Sequence, residues 1–164
     1  MIPLVRYKEG KEAGVKILDF LSRDAILADL KGRTKKEVIE ELVLALGNRI
    51  KDSKKIINVI MEREELGSTG IGQGIAIPHG KSESMKEIMA AFGISKKGID
   101  FDALDGEPVY LIFLLLAPPD AAGAHLKALA KISRLLKDKF FRQALRETTN
   151  VEEVIKIIKE EDEY

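Results

Sequence analysis

The sequence contains no cysteine among its 164 residues, so a disulfide framework, a thiolate metal site and a cysteine nucleophile are all excluded. It also lacks a net charge, because 27 lysines and arginines balance 27 aspartates and glutamates. A balanced mixture of charges gives no electrostatic reason to expect nucleic acid or a membrane surface as the main partner. We therefore expect no nucleic-acid partner.

Long hydrophobic runs are missing too. The longest apolar run, residues 109–119, falls far short of the about 20 residues that span a membrane, so no direct membrane insertion is expected. The N-terminal segment lacks the apolar centre of a secretory signal peptide, and we expect a cytoplasmic protein. The length suits one domain, which we place at residues 16–164 after a charged, aperiodic extension at residues 1–15.

The apolar pattern switches between strand and helix signals along the chain. Short apolar runs predict strands at residues 26–30, 74–78, 88–94 and 109–117. Helical spacing of apolar residues predicts helices over residues 34–46, 53–66, 126–136, 139–146 and 150–158. The order β-α-α-β-β-β-α-α-α predicts an α/β fold, a three-layer α/β/α sandwich with a mixed central sheet.

A glycine-rich segment, GSTGIGQGIAIPHGKS at residues 67–82, raises the first functional alternatives. A dinucleotide-binding loop needs a strand before its glycines, a helix after them and the spacing G-x-G-x-x-G. Here a helix precedes, a strand follows and the spacing differs, so the glycines predict a helix-to-strand connection with positive φ angles. The aspartates of residues 100–106 do not match a calcium loop, because Asp105 stands where that loop needs glycine.

His79 is one of only two histidines and directly follows the predicted strand at residues 74–78. The carboxyl ends of strands are where α/β sheets bind ligands, and Pro78 and Gly80 would hold the imidazole rigidly with space beside it. A neutral ring nitrogen is a usable nucleophile. The residue also fits a surface histidine in a turn, and local sequence leaves both alternatives open.

His125 and Arg63 are two further candidates. His125 begins a predicted helix, where it fits either a neutral donor to a phosphoryl group or a partly buried histidine that covers the helix end. Arg63 lies near the end of the second predicted helix, and it fits either a two-pronged phosphate ligand or a solvated partner of Glu62. Two histidines do not complete a stable metal site, so no metal is expected.

Taken together, these residues resemble a known family. The segment EELGSTGIGQGIAIPHG at residues 64–80 is similar to the phosphorylation-site segment of the enzyme IIA domains of the bacterial phosphoenolpyruvate:sugar phosphotransferase system, in the fructose/mannitol class. The resemblance covers residues 17–158 and includes the predicted order of strands and helices. Residues 99–138, IDFDALDGEPVYLIFLLLAPPDAAGAHLKALAKISRLLKD, are especially similar to the nitrogen-regulatory branch.

The resemblance implies roles for the three candidates. His79 would be the phosphohistidine, His125 the second active-site histidine that supports the phosphoryl group, and Arg63 the nearby cation. The implied donor is the small histidine-containing phosphocarrier protein, and no cofactor is required. The loop glycines would keep the approach to His79 open, and their N–H groups would help to stabilise the transferred charge.

Three functions remain open at this point. We favour a nitrogen-regulatory IIA protein whose phosphorylation state controls which target proteins it binds, since residues 99–138 are similar to that branch. The alternative within the family is a free-standing transport component that passes its phosphoryl group to an IIB domain for sugar uptake. A third, unrelated possibility is a small-molecule-binding domain that uses the glycine-rich cleft.

Overall fold

A computed structural model describes residues 16–163 and, before them, the backbone of two paired antiparallel strands, β1 (Tyr7–Lys8) and β2 (Lys11–Glu12). The predicted extension at residues 1–15 otherwise lies outside the described residues, so its boundary stays a prediction. The described helices are α1 (Lys35–Ala45), α2 (Ser53–Leu66), α3 (Ala122–Leu135), α4 (Lys139–Glu147) and α5 (Val151–Asp162). The further strands are β3 (Leu21–Leu27), β4 (Gly70–Gly72), β5 (Ile75–Ala76), β6 (His79–Lys81), β7 (Met89–Ile99) and β8 (Val109–Ala117).

Strands β3 to β8 form one mixed sheet in the order β3-β7-β8-β5-β4, with β6 also paired to β8. Strand β8 runs antiparallel to β7 on one side and parallel to both β5 and β6 on the other. Every residue of β8 except Tyr110 is buried, which explains why this segment is almost entirely apolar. The longest apolar run of the sequence thus forms a central strand of the sheet.

The helices pack in two groups against this sheet. Helix α1 packs on α2 and contacts β3, β7 and β8, whereas α4 packs on α5 and contacts β7 and β8. Helix α3 also contacts β8, and α5 contacts β3. The predicted α/β class with its mixed central sheet is confirmed. None of the helices in the described part of the chain combines the length and the apolar character required to cross a membrane.

The strand predicted at residues 74–78 is shorter in the structure, and a second strand follows it. Strand β5 ends at Ala76 and β6 begins at His79, and both pair with β8. Pro78 lies between them and has no N–H to donate to the ladder, although its carbonyl accepts the Leu115 N–H at 3.0 Å. The histidine therefore lies past the end of one short strand, as predicted, and begins another that the sequence pattern did not predict.

Thr34 and Glu37 have the spacing of a capping box, and Ser53 is a possible cap of the second helix, but the structure differs from both expectations. Thr34 caps α1 by accepting the Glu37 N–H at 3.1 Å, but the Glu37 carboxylate binds the N–H of Arg33 instead of closing a capping box on Thr34. Asp52, not Ser53, caps α2, since its side chain accepts the Lys55 N–H at 3.1 Å.

The two ends of the described chain are joined by a buried carboxylate. Asp162, at the end of α5, accepts the Ile17 N–H at 2.5 Å and lies 2.7 Å from the Lys131 ammonium of α3. Its side chain is only 3% exposed. The carboxylate thus ties α5 to α3 and to the turn before β3.

Replacing this carboxylate is expected to destabilise the fold. Asp162→Ala leaves the buried N–H of Ile17 and the Lys131 ammonium without their partner, and breaking a buried pair from one side costs about 3 kcal/mol. Urea unfolding should show that loss in the free energy of unfolding. Glu163→Ala, at the exposed neighbour, is the control and should change it by less than about 0.5 kcal/mol. Equal effects of the two variants would contradict a structural role for Asp162.

Candidate active site

His79 is half-buried at the start of β6, where its backbone pairs with Leu115 of β8. Its Nδ1 lies 2.8 Å from the carbonyl oxygen of Ile77. A carbonyl can only accept, so we assign the ring hydrogen to Nδ1, which leaves the lone pair on Nε2. The contact therefore selects one tautomer of the neutral ring and leaves Nε2 as the nucleophilic atom.

His125 lies beside this ring, in the first turns of α3. The two imidazole centroids are 5.6 Å apart and the ring planes are tilted by 51°. His125 is buried, and burial lowers its pKa from the usual 6.5 to about 4, with smaller contributions from the His79 and Lys81 charges. The ring is therefore neutral at physiological pH.

The Nε2 atom of His125 is buried and has no hydrogen-bond partner within residues 16–163. An unpaired buried ring nitrogen is costly, and it calls for a partner that comes from outside the chain. A phosphoryl oxygen on the neighbouring His79 ring is such a partner if the nitrogen carries hydrogen. His125 thus lies near the start of α3, as predicted, and its burial fits the alternative of a histidine that covers the helix end, while the unpaired Nε2 fits a donor to a phosphoryl group.

Arg63 occupies the last turn of α2, the helix that packs against β6. Its Nη1 donates to the carbonyl of Gly67 at 2.8 Å. Neither histidine, nor the neighbouring Glu62, accepts a hydrogen bond from this guanidinium in the described structure. The structure thus brings the two histidines together and places Arg63 on an adjoining helix, with its guanidinium held by the loop carbonyl.

Lys81 is a further cation near the site, and the sequence pattern did not indicate it. It is exposed on β6 two residues after His79, and its charge acts on His125. Side chains two positions apart on a strand lie on the same face of the sheet. The alternation His79-x-Lys81 would have pointed to this residue if β6 had been predicted.

The glycines do not surround His79 as expected. A Cβ at Gly80 would lie 2.9 Å from Val59 of α2, so this glycine permits close helix packing and does not leave free space beside the imidazole. Gly72 and Gly74 have the expected positive φ angles of 100° and 79°.

The distance along β8 separates these loop glycines from His79. The Gly74 carbonyl accepts the Tyr110 N–H at 2.8 Å, whereas His79 pairs with Leu115. At about 3.3 Å per residue, these two β8 positions are about 17 Å apart. The expectation that Gly72 and Gly74 clear the approach to His79 is therefore wrong.

The described residues provide no set of ligands for a metal ion. Across residues 16–163 there is no group of three or more histidine, cysteine, aspartate or glutamate side chains arranged to hold a metal ion. The chemistry available at His79 is that of an imidazole whose Nδ1 is hydrogen-bonded, beside the neutral imidazole of His125 and the ammonium of Lys81.

Comparison with protein families agrees with the family resemblance of the sequence. Residues 19–161 match the family model of the phosphoenolpyruvate-dependent sugar phosphotransferase system, EIIA 2. This match covers nearly all of the described chain. It includes every strand of the mixed sheet and all but the last residue of α5.

Individual relatives come from both branches of this family. A nitrogen regulatory protein of Bradyrhizobium diazoefficiens is 38% identical over 87% of this chain and 94% of its own. The fructose-specific EIIABC component of Bacillus subtilis is 37% identical over 90% of this chain but only 24% of its own. The crystal structure of nitrogen regulatory protein IIA-Ntr from Neisseria meningitidis is 38% identical and superposes with a TM-score of 0.81, covering 85% of this chain and 97% of that one.

Proposed function

This chain belongs to the EIIA 2 family of the phosphoenolpyruvate-dependent sugar phosphotransferase system, and from that premise we propose that it carries a phosphoryl group on Nε2 of His79. The observation that carries the proposal is the Ile77–His79 hydrogen bond of 2.8 Å, which leaves Nε2 as the ring atom with a lone pair. Members of the family are phosphotransfer components. The histidine-containing phosphocarrier protein is the proposed donor.

In the proposed reaction, the Nε2 lone pair attacks the phosphorus of a phosphohistidine on the donor. The new Nε2–P bond forms as the donor's N–P bond breaks, and the donor nitrogen keeps the electron pair of the broken bond. Phosphoryl transfer passes through a loose transition state, so positioning and charge stabilisation contribute most of the rate. The Nδ1–H of His79 keeps its hydrogen, and the Ile77 carbonyl stabilises the positive charge that develops on the ring.

Three side chains are proposed to stabilise the transferred group. His125 would donate from its unpaired Nε2 to a phosphoryl oxygen, which supplies the partner that this buried atom lacks within the described chain. Lys81 would contribute a positive charge from the same face of β6. Arg63 would supply a second cation after its guanidinium leaves the Gly67 carbonyl.

We propose that the phosphoryl group on His79 has a regulatory role. The support is the similarity over nearly full length to two proteins described as nitrogen regulatory. Phosphorylation of His79 adds up to two negative charges and three acceptor oxygens to the surface, so target proteins could distinguish the two forms directly. Because the family draws on phosphoenolpyruvate, we propose that the protein works in the cytoplasm.

A transport role is the alternative, and one observation favours it. The Bacillus subtilis relative, 37% identical, is named as a fructose-specific component with an EIIABC composition. A transport protein would pass the phosphoryl group on to an IIB domain. Mixing the phosphorylated protein with an isolated fructose-type IIB domain separates the alternatives, since rapid loss of phosphate from His79 to that domain supports transport and retention supports regulation.

The carrier function is tested by incubating the purified protein with phosphoenolpyruvate, enzyme I and the phosphocarrier protein. We expect one acid-labile phosphate per chain, on the peptide that contains His79, as measured by mass spectrometry at alkaline pH. Omitting the phosphocarrier protein should prevent labelling. Phosphate on a different peptide, or none with several cognate donors, would overturn the proposal.

A further inference from the structure

We propose that Glu64 is a positioning residue that, through Thr69 and Ile77, sets the tautomer of His79; its importance for phosphoryl transfer rests on the function proposed above. Glu64 lies in the last turn of α2, and within residues 16–163 neither histidine donates a hydrogen bond to its carboxylate. Its carboxylate is nevertheless connected to the His79 ring by an unbroken series of hydrogen bonds.

The first part of the series joins Glu64 to the segment after α2. The Glu64 carboxylate accepts the Thr69 N–H at 3.2 Å through Oε1, and it accepts the Thr69 hydroxyl through Oε2. Both residues are buried, with exposures of 5% and 4%. Two bonds from one carboxylate to one residue fix the orientation of Thr69.

The second part joins Thr69 to the histidine. The Thr69 carbonyl accepts the Ile77 N–H at 3.1 Å, and the Ile77 carbonyl accepts the His79 Nδ1–H at 2.8 Å. Ile77 lies in the gap between β5 and β6, where Pro78 provides no N–H for the ladder. The bond from Thr69 thus holds the peptide segment whose carbonyl selects the histidine tautomer.

The carboxylate itself is also held by Lys35 of α1. The Lys35 ammonium lies 3.1 Å from Glu64 Oε1 and 3.5 Å from the Asp102 carboxylate, and 5.0 Å from the centre of the Phe101 ring. The Lys35 side chain is 16% exposed and that of Glu64 is 2% exposed. An anchored lysine keeps the buried charge of Glu64 compensated, so the carboxylate is a fixed point for the series.

The expected consequence of breaking the series is a mixture of His79 tautomers. Thr69→Val removes the hydroxyl but keeps the backbone groups, and Glu64→Gln keeps the side-chain shape but loses the charge that faces Lys35. Each change should lower the ratio of the Nδ1–H to the Nε2–H tautomer by about two- to tenfold, the range that corresponds to one hydrogen bond. Thr69→Ser retains a hydroxyl and should restore the wild-type ratio.

The measurement is the ¹⁵N spectrum of the His79 ring in the unphosphorylated full-length protein, above the pH at which the ring protonates. The matched control is Glu65→Gln, since Glu65 is the exposed neighbour of Glu64 on the same helix. Its tautomer ratio should equal that of the wild type. Urea unfolding of each variant identifies any that are unfolded, and the Thr69 pair keeps the test decisive if Glu64→Gln does not fold.

The outcomes separate this inference from the carrier function. A wild-type ratio in folded Thr69→Val and Glu64→Gln overturns the positioning role, whatever their transfer activity. A shifted ratio in a protein that never accepts phosphate upholds the positioning role and overturns the carrier function. If both hold, the fraction of label on Nδ1 in place of Nε2, read from ³¹P–¹⁵N couplings, should rise in Thr69→Val and return to the wild-type value in Thr69→Ser.

Discussion

His79→Ala is expected to accept no phosphate, with incorporation at least about a thousandfold below that of the wild type. Of the two histidines, both within residues 16–163, the replacement removes the half-buried one, whose Nε2 carries a free lone pair, and leaves the buried one beside it. The fold should survive, because the His79 side chain contributes one hydrogen bond, worth about 1 kcal/mol. Incorporation is measured as acid-labile label after incubation with phosphoenolpyruvate, enzyme I and the phosphocarrier protein.

The matched control is His125→Gln, which keeps a side-chain amide near the site but no imidazole. It should still be labelled at His79, although more slowly, because the nucleophile stays while the imidazole beside it is replaced by an amide whose N–H groups do not occupy the position of the imidazole nitrogen. If His79→Ala keeps its label and His125→Gln loses it, the assignment of the two histidines is reversed.

The free energy of unfolding is expected to decrease as the pH falls from about 6.5 to about 4, because of His125. Its pKa is lowered from 6.5 to about 4 in the folded protein, mainly by burial and further by the His79 and Lys81 charges. Between these values the unfolded chain binds a proton that the folded protein does not, so acid favours unfolding. A pKa shift of this size contributes at most about 3 kcal/mol to the free energy of unfolding. That contribution is fully present above 6.5, the pKa in the unfolded chain, and is lost as the pH falls to about 4.

The measurement is urea unfolding at several pH values for the wild type and for His125→Gln. Other titrating groups contribute equally to both proteins, so the difference between the two curves reports His125. The free energy of unfolding of the wild type minus that of His125→Gln should decrease as the pH falls from about 6.5 to about 4, and it should stay constant below about 4. Parallel curves over the whole window would show that the pKa of His125 is not lowered in the folded protein.

The sequence predicts best those structural features that depend on a single local pattern. The apolar segment at residues 109–117 had to be buried on both faces, and it forms the central strand β8. The place of His79 after a short apolar run and before a glycine makes it a candidate, and the family resemblance is what favours a nucleophile over a surface histidine in a turn. The pairing of His79 with His125 needed the family resemblance, because residues 46 positions apart are brought together only by the sheet and α3.

Other features could not be read from the pattern. Polar residues at the exposed positions of β3 hide its start, so the predicted strand at residues 26–30 was placed later than the observed Leu21–Leu27. Pro78 interrupts the strand signal, which concealed β6 and with it Lys81. The glycines were misassigned because their distance from His79 depends on which β8 residue each segment pairs with, and that register is a tertiary property.

The hydrogen bond between His79 and Ile77 also bears on the order of events in a phosphoryl relay. Since Nδ1 is occupied by its hydrogen bond, Nε2 alone would first accept the phosphoryl group and then give it up. If the chain acts as the proposed carrier, the protein that delivers the phosphoryl group and the protein that removes it would have to reach the same atom from the same side, and they could not be bound together. Such a relay runs by a substituted-enzyme scheme, in which an excess of either partner competitively inhibits the other.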